Sequence, residues 1–248
     1  MKTLLAISLL FISTISTAQN NETRYFESKA YKTNLLELYT SEGCSSCPPA
    51  ENWLAKIPQQ LLDQSAIIPL AFHVTYWDYI GWKDKFAKQQ YDYRQRKMVI
   101  QEGGSTVYTP QFFINSQTSR GVDRAINKLA RDDKQPSSLK IKATIQEKDK
   151  KININVSLTP LLKGLEKVLR INVVTYEDDI RSVIESGENE GRVSHHQYVV
   201  RKLQTALMAL DANKSRLFEF KKEKNSWSGV VIYVESANKV VEAMRIAL

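Results

Sequence analysis

The sequence predicts an α/β domain with a partly parallel sheet over about residues 33–132, followed by a small antiparallel β-sandwich domain over about 138–248. Three observations predict this. Apolar runs alternate with segments of helical spacing up to Leu129, the pattern of strands joined by crossover helices. Arg131-Asp-Asp-Lys-Gln-Pro-Ser-Ser138 is polar, contains a proline and reads as a linker, which puts the boundary near residue 135. Beyond it, strand-like segments recur at turn-separated intervals.

Met1-Lys2 is a short positive region, Leu4 to Ile12 is almost wholly apolar, and Ser16-Thr17-Ala18 offers small residues of the kind a signal peptidase reads. Residues 1–18 are therefore expected to be a cleaved signal peptide, and the mature chain periplasmic or secreted. No other apolar run approaches the roughly 20 residues that cross a bilayer, so no membrane span is expected after cleavage. The formal charge of +8 falls to +7 when Lys2 leaves. In an exported chain that balance suits a solvated lysine face, with Lys140, Lys142, Lys148, Lys150 and Lys151 among its members, better than a nucleic-acid partner. With 42% hydrophobic and 25% charged residues the chain is neither disordered nor fibrous.

Asn34 to Tyr39 reads as a short strand that stops at Thr-Ser-Glu-Gly43. Ala50, Trp53, Leu54, Ile57 and Leu61 follow at helical spacing, with Pro58 kinking or ending the helix. Ala66 to Val74 is a continuous apolar run, as expected of a strand buried on both faces. A helix is expected over 84–100, with Ala87, Tyr91 and Met98 on one face and Asp84 in its first turn. Gln111 to Ile114 is a strand and Val122 to Leu129 a helix.

In the second half, Leu139 to Ile145 and Ile152 to Leu158 alternate apolar with polar residues around a charged turn, Lys148 to Lys151, and predict a hairpin with one wet face. Val168 to Tyr176, Gln197 to Leu203, Leu217 to Phe220, Gly229 to Val234 and Val240 to Ile246 supply the remaining strands. His195-His196 falls in a polar stretch and reads as loop.

Cys44-Ser-Ser-Cys47 holds the chain's 2 cysteines. It follows a strand and a glycine turn and precedes a helix, so exposed N–H groups and the helix dipole would favour a thiolate there. As a staple, so small a loop contributes only about 2 kcal/mol. A copper(I) or other soft-metal site on two thiolates, and a non-catalytic interaction module with a structural disulfide, are the alternatives. A zinc cluster needs more ligands than His73, His195 and His196 provide, so no metal and no cofactor are expected. Pro48-Pro49 removes two backbone donors after Cys47, and Glu42 would oppose a thiolate.

A second feature is Val107-Tyr-Thr-Pro110, directly before the strand at Gln111. Dithiol at a first helix, Thr-Pro before a later strand and a closing helix together resemble a thioredoxin fold. More narrowly, Leu38 through Ala50, Ala71 through Asp84, Tyr108-Thr-Pro-Gln111, Gly187-Glu-Asn-Glu-Gly191 and Val199-Val-Arg201 resemble an uncharacterised family of secreted bacterial thioredoxin-like proteins. The resemblance implies thiol–disulfide exchange on a protein thiol or disulfide, together with an unknown redox partner. It makes Cys44 the exposed nucleophile and Cys47 the buried thiol that resolves the mixed disulfide. Thr109 would pair through its backbone with an extended substrate segment, and Pro110 would lie cis against the dithiol.

Tyr76, Trp77, Tyr79 and Trp82, with His73 and Asp78, follow a buried strand, where α/β proteins build sites. They form either an apolar wall for substrate, with Trp77 in it and His73 or Asp78 shuttling a proton, or a packed aromatic cap.

Overall fold

The computed structural model describes residues 23–64, 66–131, 134–148, 151–210, 214–221 and 227–248, so the expected signal peptide lies outside the described residues. In chain order the elements are β1 (Thr23–Glu27), β2 (Asn34–Thr40), α1 (Pro48–Ala55), α2 (Gln59–Gln64), β3 (Ile67–His73), α3 (Gln89–Gln101), β4 (Gln111–Ile114), β5 (Gln117–Thr118) and α4 (Val122–Arg131). There follow β6 (Leu139–Lys148), β7 (Lys151–Pro160), β8 (Val168–Glu177), β9 (Ile180–Val183), β10 (Val193–His196), β11 (Val199–Ala209), β12 (Ser215–Lys221), β13 (Gly229–Ser236) and β14 (Lys239–Ala247).

The expected fold class, a thioredoxin-like α/β domain followed by a small β-sandwich domain, is corrected by this architecture. The chain is mostly β, with 47% in strands against 19% in helix. An eight-stranded sheet in the order β14-β13-β8-β11-β3-β2-β4-β5 joins strands from both sides of residue 135. The joint is made by β11, which meets β3 in parallel at Val199 and Ala71, and Ala71 N–H donates to Tyr198 O at 2.8 Å. The antiparallel ladders β11–β8, β8–β13 and β13–β14 then extend the sheet. Alternating residues specify that a strand exists and which faces it turns; they leave open which edge it joins.

A second antiparallel sheet, β1-β6-β7-β12, covers one end of the large one. Ile141, Ile145, Ile152, Ile154, Phe218 and Phe220 pack on Leu169, Ile171, Val230 and Ile232 in a common core. At the other end both faces of β2 and β3 are covered by helices. Leu35, Tyr39, Leu70 and Phe72 meet Tyr91, Met98 and Val99 of α3 on one side, while Leu36, Leu38 and Ala71 meet Leu54, Leu62 and Ile126 of α1, α2 and α4 on the other.

That double cover explains the continuous apolar run of β3 and isolates one charge in β2. Glu37 is fully buried in β2, and the Arg94 guanidinium of α3 grips its two carboxylate oxygens at 2.9 and 2.7 Å while also donating to Glu235 at 2.7 Å. Because β2 and β3 are parallel, their C-terminal ends emerge together, with Val74 N–H donating to Thr40 O at 2.9 Å. The two segments singled out in the sequence, after Thr40 and after His73, therefore lie side by side.

Candidate functional site

Cys44 and Cys47 form a disulfide. Cys47 is the residue immediately before α1, with Pro48 and Pro49 in the first turn, where a missing N–H leaves no helix bond unmade. Ala50 and Glu51 N–H donate back to Cys47 O at 2.9 and 3.1 Å, and Ser46 Oγ sits 3.4 Å from Cys44 Sγ.

The expected exposure of Cys44 is corrected: both cysteines are 0% exposed, although Ser45 and Ser46 between them face solvent. The turn that carries them is packed from two directions. Trp77 and Ile80 crowd Gly43, where an added Cβ would meet them at 3.4 and 3.3 Å. From the β9–β10 ribbon, Asn189 Nδ2 donates to Glu42 O at 2.8 Å and Cys44 O at 3.0 Å.

Thr109, Pro110 and Trp77 come together beside this turn. Trp77 Nε1 donates to Thr109 Oγ1 at 2.6 Å, Ser46 Oγ reaches Thr109 O at 3.5 Å, and the Thr109–Pro110 peptide is cis. His73 and Asp78 are not paired. His73 is buried, and its Nδ1 lies 2.6 Å from Asp84 Oδ2, whereas Asp78 Oδ1 accepts Asp84 N–H at 3.2 Å. Burial pushes the Asp78 carboxyl up, and the adjacent Asp84 charge adds to the rise. Burial would also raise Asp84, but the His73 ring and the backbone N–H groups of Glu42 and Phe86 hold it below the usual carboxylate value. Asp84 is thus an ionised acceptor and His73 Nδ1 carries the proton.

His196, expected in a loop, ends β10 and is buried. Its Nδ1 lies 2.7 Å from Glu51 Oε2 and its Nε2 3.1 Å from Glu42 Oε1. Burial opposes the imidazolium, yet the two carboxylates outweigh it and push the pKa up to about 10. Burial likewise raises Glu42 and Glu51, and the bonds from His196 more than reverse it, leaving both below their ordinary values. Trp82 Nε1 donates to Glu42 Oε2 at 2.8 Å and Thr40 Oγ1 to Glu51 Oε1 at 2.5 Å. The His73 and His196 rings meet edge to face at 5.2 Å.

Sequence reasoning missed Glu51, Asp84, Asn189 and His196 as members of this cluster. Glu51 lies in the first turn of α1, four residues after Cys47, and Asn189 sits in the Gly187–Gly191 block, so both carried a local signal. His196 carried none, because its partners are 145 and 154 positions away.

A family model described as a protein of unknown function, DUF1223, matches residues 35–235. No curated protein matches. Among solved structures, the X-ray crystal structure of an Agrobacterium tumefaciens protein, a structural genomics target, is similar at a TM-score of 0.60 and 19% identity, over 89% of this chain and 96% of that one. At that identity the likeness is one of fold alone.

Proposed function

The chain belongs to the DUF1223 family, and from the surroundings of its disulfide we propose that it is an exported thiol–disulfide oxidoreductase acting on protein thiols or disulfides in the periplasm or outside the cell. A substrate thiolate attacks Cys44 Sγ, the Cys44–Cys47 bond breaks, and Cys47 leaves as thiolate. A second substrate thiol then displaces Cys44 from the mixed disulfide, so two electrons and two protons pass from substrate dithiol to protein. Run in reverse, the same steps reduce a substrate disulfide.

One observation carries this reading: the disulfide turn lies beside the Thr109–Pro110 segment through Ser46 Oγ and Thr109 O, at the start of a helix. Ser46 Oγ, which donates to Thr109 O with the disulfide closed, lies 3.4 Å from Cys44 Sγ and can turn its proton to a Cys44 thiolate instead. A four-residue loop offers little as a staple, which leaves exchange as the better use of the bond. Since neither sulfur is exposed, exchange requires the cover over the turn to move aside.

Equilibrating the mature chain with graded glutathione or dithiothreitol buffers and trapping free thiols gives the potential, and Cys47→Ala captures mixed disulfides. A potential between roughly −270 and −120 mV with captured partner proteins is expected. A potential below about −300 mV with nothing captured would mark a structural bridge and overturn the proposal.

A further inference from the structure

We infer that Glu51, His73 and His196 form a binding site for a divalent transition-metal ion, zinc by its donor set, that uses neither cysteine. One donor atom from each of the three residues lies within 4.8 Å of the others. Donors about 2.0–2.1 Å from a tetrahedral zinc stand about 3.3 Å apart, so side-chain shifts of about an ångström close the site.

The buried nitrogen of His73 is the second, independent observation. His73 is 1% exposed, and its Nε2 has no hydrogen-bond partner among the described residues. Leaving such a group unmatched is costly. The crevice it faces, lined by Glu51, Leu54, Ala71, His73, His196 and Gln197, has no room for a water molecule. A metal ion bonds at a shorter distance than water and fits where water does not.

The surrounding groups are arranged as outer ligands are. His73 donates its Nδ1–H to Asp84, which leaves the lone pair on Nε2. His196 is bound through Nε2 to Glu42, itself fixed by Trp82, so Nδ1 is the nitrogen that meets Glu51. Carboxylates on the far nitrogens of both rings are the usual support of metal-bound histidines. Three carboxylates, Glu42, Glu51 and Asp84, face two imidazoles here, a surplus of negative charge that a divalent ion offsets. On binding, the ion takes the place of the proton on His196 Nδ1, and one proton is released. Two imidazoles and one carboxylate are a donor set that suits zinc.

The test uses the oxidised mature chain, stripped with a chelator, dialysed and titrated calorimetrically with zinc chloride. One equivalent is expected. Asp84→Asn, a change to a positioning residue, should weaken zinc by about tenfold or more, and Glu51→Gln and His73→Gln should weaken it further. The Cys44→Ser/Cys47→Ser chain should bind as the parent does. If His73→Gln does not fold, cobalt(II) added to the parent decides, through visible bands of a nitrogen and oxygen site without a thiolate charge-transfer band. Binding of less than a tenth of an equivalent, no visible cobalt(II) bands of a nitrogen and oxygen site, or loss of binding only in the cysteine variants would each overturn the site. Such a result leaves the exchange reading standing, because that is measured on the sulfurs.

Discussion

Asn189 and Cys44, 145 positions apart, are joined by the Asn189 side-chain amide, which donates at 3.0 Å to the Cys44 carbonyl and at 2.8 Å to that of Glu42. Gly187 of the same loop has φ +80° and rests on Trp82, where a Cβ would come within 3.2 Å of the Trp82 Cβ. Part of the packing around the disulfide turn is thus supplied by the second half of the chain, through the β9–β10 ribbon, beside that from Trp77 and Ile80.

Replacing Asn189 with alanine removes both bonds, leaving the buried Glu42 carbonyl without this donor and Cys44 O with Cys47 N–H at 3.2 Å, a loss of about 1–3 kcal/mol. Much of that loss falls on keeping the turn closed. Asn189→Ala is therefore expected to speed reduction of the disulfide by dithiothreitol about tenfold, read by quenched thiol labelling. A rate equal to the parent's would show that the ribbon does not limit access.

Arg94 and Glu37 tie α3 to the centre of the large sheet, with side chains 11% and 0% exposed. Taking away the guanidinium leaves the Glu37 carboxylate buried without its countercharge. Arg94→Met should lower the unfolding free energy in urea by about 3–5 kcal/mol. Arg94→Met combined with Glu37→Gln should recover part of that loss, since the uncompensated charge goes with it.

Strand positions were legible where period and burial coincide: β3 reads as an unbroken apolar run, β2 as an apolar segment interrupted by Glu37, and β6 and β7 alternate, whereas β1, β9 and β10 were not read as strands. Strand partners were not. Nothing local in Val199-Val-Arg201 marks it as the strand that joins β3, and a register shift between Val200 and Lys202 blurs its alternation. The helix expected from residue 84 begins at Gln89 instead. Asp84 is spent on His73 and on the N–H groups of Glu42 and Phe86, which holds the chain out of helix there. In the site, the sulfurs and the Thr109–Pro110 segment were visible as motifs. The histidine–carboxylate cluster was not, because it assembles from α1, β3, β10 and two loops.

Glu242 offers a pH readout away from the candidate site. It is fully buried and accepts from Thr33 N–H at 3.0 Å and from Ser137 Oγ–H. Burial pushes its pKa above the ordinary 4.5 and outweighs those bonds. Nearby Lys32 has its pKa lowered by burial, with Glu242 pulling the other way. Because the folded carboxyl holds its proton more tightly than the unfolded one, its contribution is fully present below about 4.5 and is lost as pH rises through the folded value. Stability of the parent relative to Glu242→Gln should therefore fall as pH climbs from 4 toward neutrality, measured as the difference between urea midpoints. A difference that stays flat or rises over that range would contradict the assignment.

The last expectation concerns what the disulfide does for the fold. Closing a four-residue loop removes so little unfolded-state entropy that the bond contributes about 2 kcal/mol at most. Through the thermodynamic cycle, whatever stability the bond confers on the native chain, the native chain confers on the bond. Since 30 mV corresponds to 1.4 kcal/mol for a two-electron couple, the folded potential should lie no more than about 40 mV below that of the same disulfide in the denatured chain. Urea unfolding of the oxidised and dithiothreitol-reduced protein, with potentials measured in buffer and in concentrated urea, closes the cycle. A stability loss near 2 kcal/mol or less on reduction leaves the bond free to open and close in exchange. A loss above about 4 kcal/mol, with a matching drop in potential, would mean that packing around Cys44 and Cys47 depends on the bond and that its service is structural.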